Sequence, residues 1–119
     1  MQPIELALLG AGGRGTFAYG RYALAHPHRA RFVAVAEPNL ERRQRFAREH
    51  GLAPERCFAS WQEMLAQPRL AEALVNATMD QLHVSSTLAA LEAGYDVLLE
   101  KPMATTPEDC ALMVQAAER

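Results

Sequence analysis

Gly10, Gly12 and Gly15 stand in the spacing Gly-x-Gly-x-x-Gly, filled out as Gly10-Ala11-Gly12-Gly13-Arg14-Gly15, directly after the apolar run Leu6-Ala7-Leu8-Leu9. Bare backbone in such a strand-to-helix turn suits the cradling of a diphosphate. Gly10 allows the tight turn, Gly12 lets the backbone approach a pyrophosphate, and Gly15 lets the next helix pack close to the sheet. The phosphates then lie at the helix N-terminus, where unpaired N–H groups and the positive end of the macrodipole meet an anion. Twenty-two residues beyond Gly15, Glu37 ends a second apolar run, Phe32-Val33-Ala34-Val35-Ala36. A carboxylate there accepts from the adenosine ribose hydroxyls and repels a 2′-phosphate, which favours NAD over NADP. Arg42 and Arg43, close behind, keep NADP open as the alternative, because an arginine near that position accommodates the extra phosphate. Near the other end of the chain, Glu100-Lys101-Pro102 follows the apolar Val97-Leu98-Leu99. A lysine between a buried strand and a proline projects its ammonium into a crevice, where partial burial lowers its pKa toward a range useful for proton sharing.

These residues need elements to bring them together. Ile4 and Leu6 to Leu9 read as a parallel strand buried on both faces. A helix follows through Phe17, Tyr19 and Tyr22 and stops near His26-Pro27, since proline bars helical geometry from the residue before it. With the strand ending at Glu37 this completes one βαβ unit. Residues 40–50 have helical composition and run into Gly51, suited to a left-handed cap. A weakly marked strand is expected at 56–59, then a short helix over 61–66 opened by a Ser60/Glu63 capping box. A fourth strand over 73–77 ends at Thr78, a helix over about 81–93 starts near His83 and closes at Gly94, and a fifth strand covers 97–99. Thr106-Pro107-Glu108-Asp109 carries the capping residue, first-turn proline and first-turn acids of a last helix. Five strands alternating with helices predict an α/β, doubly wound parallel sheet, a Rossmann fold in the order 3-2-1-4-5. Gly10, Glu37, Thr78 and Glu100-Lys101 all fall at carboxyl ends of strands, around one crevice at the switch point between strands 1 and 4.

Length and composition narrow the partners. At 119 residues the chain is expected to form one domain, residues 1–119, with a core of its own. The net charge of −2 argues for no polymer partner, although it is uneven: nine Arg against five acids over 1–56, three basic groups against nine acids over 57–119. Arg42, Arg43, Arg45 and Arg48 fall on one helix and read first as a solvated face; without interleaved aromatics or a reading module they do not indicate nucleic acid. Cys57 and Cys110 lack metal-ligand spacing, as do His26, His28 and His50, so neither a metal site nor a disulfide is expected. No apolar stretch approaches the length of a membrane span and the first residues are strand sequence, which points to a cytoplasmic protein without membrane partners.

The second half carries a more specific pattern: Thr78-Met79-Asp80-Gln81-Leu82-His83, the helix-ending Leu91-Glu92-Ala93-Gly94, and Glu100-Lys101-Pro102. Together with the glycine turn it resembles the N-terminal half of the Gfo/Idh/MocA oxidoreductases, over nearly the whole chain. That resemblance implies hydride transfer between a nicotinamide and a small-molecule substrate, a sugar, polyol or related hydroxyl compound. It implies Lys101 beside nicotinamide and substrate as the catalytic residue, with Glu100 steadying it or facing the cofactor, and a sharp turn at Pro102, whose peptide bond is often cis in the family. His83 at the start of its helix is held between a cofactor contact and a plain packing role. The cofactor set is then Gly10, Ala11, Gly12, Gly13, Arg14, Gly15, Glu37, Thr78, His83, Glu100, Lys101 and Pro102. The family commonly has Thr-Pro-Asn where this chain has Thr78-Met79-Asp80, which loosens the turn and adds an acid that disfavours phosphate. Family members continue past this length into a further strand and a second, mostly β domain with substrate contacts and the usual catalytic histidine. The expectation is therefore a truncated dinucleotide-binding half that by itself catalyses little and, with a bared strand edge, associates into homo-oligomers. A non-catalytic dinucleotide-binding or sensing module is the competing reading; a methyltransferase fits the glycine spacing less well.

Overall fold

The computed structural model describes residues 3–12, 14–78 and 83–99, together with residue 117. Five strands, β1 (Ile4–Leu9), β2 (Ala30–Ala36), β3 (Cys57–Phe58), β4 (Ala73–Asn76) and β5 (Asp96–Leu99), pair in parallel in the order β3-β2-β1-β4-β5. β1 is central, and its register sets the site: Leu9 lies level with Ala36 of β2 and with Asn76 of β4, so the residues that follow all three strands emerge side by side. The register between β1 and β2 shifts by one after Leu6, where β2 carries an extra residue, Val33.

The near-continuous apolar runs are explained by burial on both faces. On one, Ala7, Leu9 and Leu74 pack with Met64, Ala90 and Tyr95 under α3 (Trp61–Leu65) and α4 (His83–Glu92). On the other, Leu8, Val35, Phe32 and Val75 pack with Ala23 and Phe46 under α1 (Arg21–Ala25) and α2 (Leu40–His50). Phe32 and Phe46 meet edge to face at 5.4 Å, and His50 stacks on Phe46 at 4.1 Å. Tyr95, 3% exposed, accepts a 2.9 Å hydrogen bond from Leu70 N through its hydroxyl, so it belongs to the core.

Local punctuation works as its chemistry dictates. Asn39 caps α2 by accepting from Arg42 N at 3.0 Å, and Gly51 closes that helix in the left-handed region at φ +65°. Ser60 caps α3, accepting from Glu63 N at 3.2 Å. The reciprocal half of that box differs from expectation: the Glu63 carboxylate accepts from Ala59 N at 3.1 Å, one residue further back than Ser60. The first helix also differs. It begins as a π-helical segment, Arg14–Gly20, before tightening into α1. The sequence supplies the reason, since two glycines five residues apart match the wider repeat, and Gly20 stacks on the Gly15 carbonyl, where an added Cβ would stand 3.3 Å from its oxygen. The predicted last helix, apart from residue 117, lies outside the described residues.

Candidate active site

The glycine turn leaves β1 at Gly10, whose φ of +89° is left-handed, so any side chain there is strained. Space forbids one as well: a Cβ on Gly10 would stand 2.6 Å from the Ala77 carbonyl oxygen and 3.0 Å from Thr78 N. Parallel pairing of β1 with β4 thus presses the glycine turn against the chain leaving β4. A Cβ on Gly15 would run into the Gly10 carbonyl oxygen, so the helix start seats directly on the turn. Gly12 is the contrast. Its nearest neighbour would be Arg42 Nη1 at 3.8 Å, an ordinary van der Waals contact, so its half-buried backbone is not crowded by the protein.

Two buried side chains fix the turn between these glycines. Glu37, 6% exposed, accepts from Ala11 N at 2.8 Å through Oε1 and from Asn39 N at 2.8 Å through Oε2. Thr16, 1% exposed, donates from Oγ1 to the Ala11 carbonyl at 2.8 Å. Ala11 is therefore held at both its N–H and its C=O. Glu37 does more than end a strand: its carboxylate ties the glycine turn to the start of α2, with one bond made on each oxygen and a lone pair remaining on each. The Arg43 guanidinium donates to the Glu37 carbonyl at 2.7 Å, so Arg43 braces the end of β2 and is no member of a purely solvated face.

Beside Gly10, the exit of β4 carries a second polar assembly. Asn76, wholly buried, donates from Nδ2 to Ser86 Oγ at 2.8 Å and to Thr87 Oγ1 at 2.9 Å, and its Oδ1 accepts from Thr78 N at 3.2 Å and Thr78 Oγ1 at 2.7 Å. Sequence reading passed over Asn76, although an amide inside an otherwise apolar strand signals a partner. Of the other expected site residues, the backbones of Arg14 and His83 open the first helix and α4. Gly13, Glu100, Lys101 and Pro102 lie outside the described residues. Among the described residues no three His, Cys, Asp or Glu side chains gather as a metal cage, and no helix is long and apolar enough to cross a membrane. Burial pushes the Cys57 thiol up, with Arg43 opposing and Glu55 reinforcing the shift, so it stays protonated at neutral pH. Cys110 lies outside the described residues.

Comparison with known proteins agrees with this geometry. The Gfo/Idh/MocA family model, described as an oxidoreductase family with an NAD-binding Rossmann fold, matches residues 4–119. A 1,5-anhydro-D-fructose reductase of Ensifer adhaerens is 38% identical over 85 residues, 71% of this chain and 25% of that protein. The crystal structure of the WlbA dehydrogenase from Bordetella pertussis, in complex with NADH and UDP-GlcNAcA, superposes with a TM-score of 0.86 at 36% identity, over 99% of this chain and 34% of that one. An inositol dehydrogenase homolog from Azotobacter vinelandii, complexed with NAD+, gives 0.83 at 30% identity, over 98% and 32%. The chain spans about a quarter of the length of these curated relatives and about a third of the solved chains.

Proposed function

The chain belongs to the Gfo/Idh/MocA oxidoreductase family, and from that membership we propose that it is the NAD-binding part of a dehydrogenase acting on a sugar, polyol or related hydroxyl compound. The observation that carries this reading is the uncrowded Gly12 backbone, between a turn that cannot hold a side chain at Gly10 and a buried carboxylate at Glu37. That cradle fits a dinucleotide: the Gly12 backbone faces the diphosphate at the head of the first helix, Ala11 and Gly15, buried beneath it, set the shape of the turn, and the spare lone pairs of Glu37 accept from ribose hydroxyls. The negative charge of Glu37 selects NAD over NADP. Bound NAD supplies a nicotinamide that accepts or returns a hydride. The roles of Gly13, Arg14, Thr78, His83, Glu100 and Pro102 as cofactor contacts, and of Lys101 as the residue that orients a substrate hydroxyl and shares its proton, rest on their match to the family pattern.

Calorimetric titration with NAD, NADP and S-adenosylmethionine tests the reading. NAD is expected to bind, NADP more weakly and S-adenosylmethionine not at all; absence of heat with both nicotinamide dinucleotides on folded protein overturns it. In the active enzyme, Lys101→Ala is expected to reduce turnover by about 10²–10⁴-fold while NAD affinity holds. Unchanged turnover removes Lys101 from the mechanism. The enzyme is read as cytoplasmic and homo-oligomeric; among the described residues β5 is a sheet edge with Leu98 53% exposed, an association surface. Sedimentation returning only monomer at high concentration counts against self-association.

A further inference from the structure

Building on the proposed function, we propose that Asn76 is a positioning residue that holds the Thr78 hydroxyl beside the glycine turn as an acceptor-only group, poised for an N–H or O–H donor on the nicotinamide side of the dinucleotide. The assignment follows from the saturation of one amide. A backbone N–H only donates, so the atom of Asn76 facing Thr78 N at 3.2 Å is its oxygen, and its NH2 faces α4. That NH2 spends both protons on Ser86 Oγ and Thr87 Oγ1, and the oxygen uses both lone pairs on the Thr78 N–H and O–H. All four hydrogen-bonding positions of Asn76 are filled by groups that are themselves buried or half-buried. The short 2.7 Å bond from Thr78 Oγ1 consumes the only hydroxyl proton, so toward any ligand the oxygen presents lone pairs alone.

The location gives this chemistry a use. Thr78 follows the carboxyl end of β4, half-buried, with its backbone N against Gly10. Leu74, two residues earlier on the same face of β4, is apolar and wholly buried, so packing alone needs no amide at position 76. What an apolar side chain could not do is cross-link β4, the chain that leaves it and α4 while orienting one hydroxyl.

The test compares Thr78→Val, Thr78→Ser, Asn76→Leu and the double variant Asn76→Leu/Thr78→Val, reading NAD dissociation constant and melting temperature on the same protein. Thr78→Val is expected to weaken NAD about 5–10-fold, the worth of one hydrogen bond, while Thr78→Ser stays within about twofold of the parent. Asn76→Leu should lose affinity comparably, and the double variant should bind no more weakly than the poorer single one, because both remove one device. Multiplying losses, or an Asn76→Leu protein that melts earlier yet binds as the parent does, overturn the inference. If Asn76→Leu does not fold, the Val and Ser pair decides: Thr78→Val at parental affinity overturns it. Repeating the pair with 3-acetylpyridine adenine dinucleotide, which lacks the carboxamide N–H, identifies the donor. A deficit that vanishes assigns the carboxamide, and one that persists assigns a ribose hydroxyl. A parent protein that binds no NAD removes the proposed function and this inference with it, whereas parental binding with an indifferent Thr78→Val removes only the inference.

Discussion

Glu37→Gln is nearly isosteric and leaves packing untouched, so it isolates the hydrogen bonds of a buried carboxylate. In the parent each oxygen accepts one backbone N–H at 2.8 Å, from Ala11 and from Asn39. Glutamine keeps one acceptor oxygen and turns an NH2 on the other donor, so both bonds lose their charge assistance and one of the two N–H groups, Ala11 or the more exposed Asn39, is left unpaired. A hydrogen bond to a charged group is worth about 1.5–3 kcal/mol, and the orphaned donor moves the loss toward the upper part of that range, about 2–3 kcal/mol. An unfolding entropy of about 2.1 cal/mol/K per residue gives about 0.25 kcal/mol/K for the 119 residues, so the melting temperature should fall by about 8–12 °C without cofactor present. Glu92→Gln, on the exposed end of α4, serves as the control and should not move it. Hydrogen exchange of the Ala11 and Asn39 amides gives the residue-level readout: both protected in the parent, one of them exposed in the variant. A Glu37→Gln protein that melts with the parent and keeps both amides protected would refute the clasp and leave Glu37 a ligand contact only.

Gly15→Ala should destabilise the fold by about 1–3 kcal/mol and abolish NAD binding, because its Cβ meets the Gly10 carbonyl; Gly51→Ala, with open space around it, should cost only its left-handed backbone strain, about 1–2 kcal/mol, and leave binding intact. Equal effects of the two in calorimetry and thermal melts would contradict the steric account. Burial holds the His50 pKa below 6.5, the nearby Glu49 opposing, and its buried Nε2 has no hydrogen-bond partner among the described residues. The unfolded chain therefore takes up a proton that the native ring resists, so the contribution of His50 is complete above about pH 6.5 and is lost as pH falls from there through the native value. Melts from pH 7.5 to 5 should fall more steeply for the parent than for His50→Leu, and parallel slopes would exclude His50 as the cause.

Much of the fold was legible because its signals are local. Strand β1, the glycine turn, the cap at Gly51 and the boundary at His26-Pro27 each follow from the residues on the spot, and right-handed crossovers leave few orders for five such strands. Less legible were features set by neighbours distant in the chain. The first helix opens in the π form because Gly15 and Gly20 must stack beneath the turn and against Phe46 and His50. β3 shrinks to Cys57–Phe58, whose partners Val35 and Ala36 lie at the end of β2.

The sequence by itself determined that three glycines, an acid at the end of β2 and a parallel α/β order converge on one crevice at the carboxyl ends of the strands, since residue type and spacing decide where side chains can be absent and where strands end. Only the tertiary structure decided what holds that crevice in shape. The Glu37 clasp on Ala11 spans 26 residues and the Asn76 network joins β4 to α4, and a hydrogen bond depends on where two atoms meet in space, a relation that register and crossover create and no local pattern encodes.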